Sequence, residues 1–268
     1  MPLKSPIPEA SPVAVPDPGP GRRLLRGGML SRIFLATEEV NRRAVLRALP
    51  ARAGGTLLDV GTYDGEFTTR IAERVKATTA VGLELIPEHV EQSRARGITM
   101  VEGDVEDGLP FDDETFDVVT ANQVIEHVRS TDRFLSELCR VLKPDGVACV
   151  STNNLSSWHN VVSLVLGFQP PPQHVSDELI VGNPINPAQG MPHEDHGQAH
   201  LRLFTARALS ELADHHGLEV VRVRGTGYYP LPPPLARVAA AVDRRHAAFL
   251  VTNLRRRPRR NLAPHAVS

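Results

Sequence analysis

The stretch Thr56-Leu57-Leu58-Asp59-Val60-Gly61-Thr62-Tyr63-Asp64-Gly65-Glu66-Phe67 decides the fold. Thr56 to Val60 is a short apolar run with one acid near its end. It is too short for a helix and suits a strand buried on both faces. Gly61 stops it and Gly65 follows, and then Phe67, Ile71 and Val75 recur at helical spacing. The unit reads as strand, glycine-punctuated turn, helix. In an open parallel sheet, ligands sit outside the carboxyl ends of strands at such turns. Glycine there lets backbone approach a ligand closely, and the helix N-terminus offers free N–H groups.

Working outward, strands and helices alternate. Thr79 to Glu84, Ile98 to Glu102, Phe116 to Ala121 and Val147 to Thr152 read as further strands. Helices are expected at about Leu30 to Leu49, from Pro87 to Arg96 with Gly97 closing it, and at Thr131 to Leu142. Pro144 and Gly146 are expected to end the last of these. This rhythm implies a doubly wound, mostly parallel sheet with helices on both faces. It breaks after Asn154, so residues 155–204 are expected as an insertion, with a short helix at Trp158 to Leu166. Regularity returns at Thr205, an N-cap candidate, with a sixth strand at Leu218 to Arg224 and a seventh at Ala247 to Asn253.

The termini differ in composition. Residues 1–27 carry prolines too densely for helix or ladder hydrogen bonds and read as a disordered tail. Residues 255–268 open on the arginine-rich run Arg255 to Arg260 and read as a basic flexible tail. A basic run alone invites a nucleic-acid reading. The formal net charge of -1 and the lack of interleaved aromatics favour a solvated terminus, and no nucleic-acid partner is expected. The prolines leave no room for a secretory signal, and the longest apolar stretch, Val161 to Phe168, is short for a span. Cys139 and Cys149 are the only cysteines and read as small buried hydrophobes. A cytoplasmic protein without a membrane partner is expected.

The turn lacks the Gly-x-Gly-x-x-Gly spacing of dinucleotide sites, and no catalytic Tyr/Lys pair is visible, which argues against a nicotinamide-dependent oxidoreductase. It resembles instead the first motif of class I S-adenosylmethionine-dependent methyltransferases, Asp/Glu-x-Gly-x-Gly-x-Gly, with Tyr63 where that family mostly has glycine. The resemblance extends to Leu109 to Val119, to Glu126-His127-Val128 and to Leu142-Lys143-Pro144-Asp145-Gly146, as in the small-molecule, type 11 branch. It covers residues 54–154 closely and 200–254 more loosely. It implies a Rossmann-like seven-stranded sheet with a reversed last strand, S-adenosyl-L-methionine as cofactor, and methyl transfer to a small-molecule acceptor, foremost at a hydroxyl oxygen. The alternative is a catalytically inactive chain that binds the cofactor or regulates a partner.

The resemblance also implies roles. Glu84 would accept both ribose hydroxyls, Asp104 the adenine amino group, and the Val105 N–H a ring nitrogen. Asp59, with the backbone near Gly61, Gly65 and Asn122, would hold the amino-acid head. His127 is the candidate general base. His193, Glu194, Asp195, His196 and His200 form a further polar cluster, but His193-x-x-His196 is a weak pattern and no metal is expected from it.

Overall fold

The computed structural model describes residues 29–51, 55–186, 188–191 and 199–257. The expected N-terminal tail, most of the basic tail, and His193, Glu194, Asp195 and His196 lie outside them. Seven strands form one sheet in the order β3-β2-β1-β4-β5-β7-β6. They are β1 (Gly55–Val60), β2 (Ala77–Glu84), β3 (Thr99–Glu102), β4 (Phe116–Asn122), β5 (Leu142–Asn153), β6 (Leu218–Thr226) and β7 (Phe249–Arg256). β7 runs antiparallel to both β5 and β6, and the other pairings are parallel. Strand order reverses between β1 and β4, which opens a crevice at their carboxyl ends.

Side-chain alternation along β1 explains the two layers. Leu58 and Val60 join one apolar cluster, which also holds Phe134, Leu135 and Leu138 of α4 (Thr131–Val141) and Leu209 of α6 (Ala206–His215). Leu57 faces the other way, towards Val45 of α1 (Met29–Ala48), Leu49 just after it, and Phe67, Ile71 and Val75 of α2 (Glu66–Val75). Asp59 shares the Leu57 side by strand parity, so an acid is sent under α2. Val90 of α3 (Pro87–Ala95) packs with Ile98 and Met100 beside β3.

Two boundaries depart from the sequence reading. α4 ends at Val141 and β5 begins at once, with Leu142 opposite Phe116 and Val147 opposite Val118. Residues 143–146 therefore bulge within the strand, where Lys143 Nζ meets Asp117 Oδ2 at 2.7 Å. Pro144 and Gly146 accommodate that bulge. β7 extends through Arg255 and Arg256, so the arginine run does not begin as a tail. Arg256 is buried, donates to the Leu142 carbonyl at 2.7 Å and pairs with Glu114 at 3.0 Å.

The insertion is closed at its neck. Asn154 bridges Phe204, and the Leu155 N–H donates to the Phe204 carbonyl at 2.9 Å. It contains α5 (Trp158–Val165). A last helix, α7 (Pro233–Val242), precedes β7. Among the described residues, no helix is long and apolar enough to cross a membrane.

Candidate active site

The turn after β1 places Gly61, Tyr63 and Gly65 at φ 75°, 52° and 78°. Left-handed backbone at every second residue is what the repeated glycines of such motifs serve. Tyr63 adopts it despite its side chain, at a cost of about 1–2 kcal/mol. The two glycines are also sterically needed. A Cβ on Gly61 would lie 2.6 Å from Val124 Cγ2, and one on Gly65 would lie 2.7 Å from Ser93 Oγ.

Neighbouring elements satisfy the turn's backbone. Gly61 N–H donates to the Leu83 carbonyl at 2.8 Å, and Gly65 N–H to the Thr62 carbonyl at 3.0 Å. From α3, Ser93 Oγ donates to the Tyr63 carbonyl at 3.0 Å. Just beyond it, Arg96 Nε donates to the Asp64 carbonyl at 2.8 Å. Tyr63 N–H donates to Glu84 Oε2 at 2.9 Å. Its ring leans on His89, centroids 4.1 Å apart.

Glu84 ends β2 and is nearly buried. Its Oε1 accepts the N–H groups of Leu85 at 2.9 Å and Ile86 at 3.1 Å. A carboxylate has about four lone-pair directions. One therefore remains, on Oε2, beside Tyr63. Asp104 follows β3 and caps a 3-10 turn, Val105–Asp107, accepting the Glu106 N–H at 2.9 Å. It borders a cavity of about 260 Å³ with Gly103, Asp107, Leu109 and Glu137.

Asp59 sits deeper than its neighbours. It is buried, and its two oxygens accept Thr68 Oγ1 at 2.5 Å and Thr120 Oγ1 at 2.6 Å. Burial pushes its pKa up to about 6, the two threonines oppose that, and the Glu84 charge adds to it. The carboxylate thus ties β1 to α2 and β4 beneath the turn. The sequence reading missed Thr68 and Thr120, which carry no motif of their own.

Asn122 ends β4 and looks towards α1. Its Oδ1 accepts Asn41 Nδ2 at 3.1 Å, and Asn41 Oδ1 accepts Ser151 Oγ at 3.0 Å. A buried asparagine thus holds α1 over the carboxyl ends of β4 and β5. Phe34 lies seven residues, about 10 Å, further along the same face of α1. It meets Tyr229 edge-on at 6.2 Å, and Tyr229 meets His159 of α5 at 5.7 Å. Trp158 and Tyr228, nearby in sequence to these rings, both bond to Asp243 and fix a corner instead.

The loop after β4 begins on the crevice, since Val124 packs on Gly61. Two residues on, Glu126 is fully buried, and its carboxylate accepts Thr152 Oγ1 at 2.8 Å and Asn153 Nδ2 at 3.3 Å. Burial raises its pKa to about 7 against the pull of these bonds. The His127 ring stands 4.7 Å from His200, so the insertion reaches the candidate base. Glu126 was visible in its motif, but its burial was not.

A match to the family described as "Methyltransferase domain" covers residues 34–223. The chain belongs to that family. This methyltransferase domain is similar to the demethylmenaquinone methyltransferase of Thermobifida fusca, 35% identical over 45% of this chain and 53% of that protein. It is also similar to that of Shouchella clausii, 31% identical over 47% and 57%. The 2-phytyl-1,4-naphtoquinone methyltransferase of Nostoc punctiforme is 37% identical over 37% and 47%. The chain spans about half the length of the curated relatives it matches. Solved S-adenosylmethionine-dependent methyltransferases share the fold. That from Mesorhizobium loti has a TM-score of 0.55 at 18% identity over 87% of this chain and 100% of that one. That from Thermotoga maritima has 0.54 at 21% identity over 87% and 96%. The methyltransferase family and fold carry S-adenosylmethionine as cofactor. The turn fits it in backbone conformation, with Gly61, Tyr63 and Gly65 all left-handed and no side chain tolerated on either glycine.

Proposed function

We propose that this methyltransferase domain transfers a methyl group from S-adenosylmethionine to a small-molecule acceptor bearing a ring hydroxyl. The observation that carries this reading is the left-handed alternation of Gly61, Tyr63 and Gly65 locked onto Glu84. When bound, the cofactor supplies an electrophilic methyl carbon on a sulfonium, and the protein's task is alignment. Glu84 Oε2 takes a ribose hydroxyl, while Asp104 and the Val105 N–H take the adenine edge. The backbone near Gly61, Gly65 and Asn122 holds the amino-acid head. Asp59 acts one layer below, fixing the turn through Thr68 and Thr120.

Phe34, Tyr229 and His159 form an aromatic wall suited to a planar acceptor. The acceptor's proton leaves towards the group containing His127, whose loss slows transfer. Oxygen is the first atom to consider. The relatives' names, which concern quinones and in some cases specify a C-methyltransferase, favour a second reading at a carbon. Deprotonating a hydroquinone makes both its oxygen and the adjacent carbon nucleophilic, so one site serves either outcome.

The test is incubation with methyl-labelled S-adenosylmethionine and a panel of catechols, hydroquinones and reduced naphthoquinones, read by mass spectrometry. A labelled product whose fragmentation places the methyl supports the reading. Tight cofactor binding without label in any acceptor would leave a binding protein instead.

A further inference from the structure

We infer that Glu126, His127 and His200 form a seat for one divalent first-row transition-metal ion, which clamps the insertion onto the loop after β4. The inference concerns the group assigned above to the acceptor's proton, but it rests on geometry and stands without the transfer reading. One ligand atom from each of the three residues lies within 4.8 Å of the others. Bonds of ~2.1 Å to a four-coordinate ion need separations of about 3.4 Å, so small side-chain rotations close the set.

Three features suit a ligand set better than a chance cluster. Glu126 is fully buried, and its carboxylate takes hydrogen bonds from neutral groups among the described residues, namely Thr152, Asn153, nearby backbone and the Gln123 amide. Buried carboxylates are ordinarily paired or metal-bound. Among the described residues no lysine or arginine pairs with Glu126, and the Arg202 guanidinium bonds to Thr131 and to the Arg129 carbonyl. Second, His200 Nδ1 lies 2.6 Å from the Pro172 carbonyl oxygen. A carbonyl only accepts, so Nδ1 carries the hydrogen and Nε2 would be the ligand atom. Metal-bound histidines are commonly oriented in this way. Third, His200 is held from both sides. His174 stacks on it at 5.0 Å and accepts its backbone N–H at 3.2 Å, while the next residue, Leu201, donates its N–H to the Glu126 carbonyl at 2.8 Å.

Two imidazoles and one carboxylate suit zinc, manganese, iron or cobalt rather than the all-oxygen shells of calcium and magnesium. The sequence reading grouped His200 with His193 and His196, set His127 apart as a base and expected no metal. The ligands found here come from two distant segments, which spacing cannot reveal.

The experiment titrates chelator-stripped full-length chain with Co²⁺, read by its visible d–d bands, with Zn²⁺ competition by calorimetry. One equivalent is expected, with affinity falling by at least about tenfold in Glu126→Gln, His127→Gln and His200→Ala. Metal should also raise the melting temperature of the wild type but not of His200→Ala. Circular dichroism and S-adenosylmethionine affinity, measured alongside, check that each variant is folded. No saturable binding, or unchanged affinity in all three folded variants, overturns the inference. Retained cofactor binding in a metal-blind variant separates this result from the methyltransferase reading.

Discussion

The backbone N–H of Tyr63 donates to the carboxylate of Glu84 at 2.9 Å, joining the turn after β1 to the end of β2. The same carboxylate receives Leu85 and Ile86, so three amides converge on one side chain. Glu84→Gln puts an NH2 among these donors. Hydrogen bonds to a charged group are worth about 1.5–3 kcal/mol, so cofactor affinity by calorimetry should drop by about 10- to 100-fold.

Tyr63 holds left-handed backbone that glycine adopts freely. Tyr63→Ala keeps that strain and loses the contact with His89, whereas Tyr63→Gly loses the contact but relieves the strain. Urea unfolding should find the glycine variant more stable than the alanine variant by about 1 kcal/mol. Equal stability would show that the backbone at Tyr63 costs nothing.

Gly61 tests close approach. Gly61→Ala meets Val124 Cγ2 at 2.6 Å and imposes a left-handed alanine. A loss of about 1–3 kcal/mol is expected, together with weakened cofactor binding. Adding Val124→Ala should restore the steric part but not the conformational part, and a double-mutant cycle reads the coupling.

Asp59 sets a pH dependence. Its folded pKa of about 6 lies above the ordinary 3.8, so between those values the folded chain holds a proton that the unfolded chain has released. This contribution therefore weakens stability as pH rises through that window, and its cost is complete above about pH 6. The groups facing the carboxylate are Thr68, Thr120 and Glu84, with the Cys149 thiol close by. Asp59→Asn should remove the slope. Denaturant titrations across the window should find the wild type's stability relative to the variant highest at the acid end.

The strand–turn–helix unit was legible because Thr56–Val60 is apolar, glycines follow, and Phe67, Ile71 and Val75 repeat at helical spacing. The acids at successive strand ends were legible for the same reason: β-strands of known length fix where they stop. What escaped depends on contacts between distant segments. Tyr63 stands out in the sequence as a departure from the motif, but its left-handed backbone appears only in the fold, and Asn41 is one polar residue in a helix until it meets Asn122 and Ser151. Leu142 looked like the end of a helix because Pro144 and Gly146 follow it. Pairing with Phe116 recruits it to β5, and the breakers become a bulge. Arg256 looked like part of a solvated tail, although its guanidinium is anchored to Leu142 and Glu114.

The Asn41 bridge has a bearing on turnover. Two hydrogen bonds between neutral side chains, about 1 kcal/mol each, hold the middle of α1 above the strand ends. The same helix is also tied to α2 by Arg42–Glu66 and Arg70–Glu39 and packed into the core through Val45, so losing the bridge would loosen its Asn41 turn without detaching the helix. Loosening confined to that one turn sits directly over the strand ends, where a bound nucleoside would have to pass.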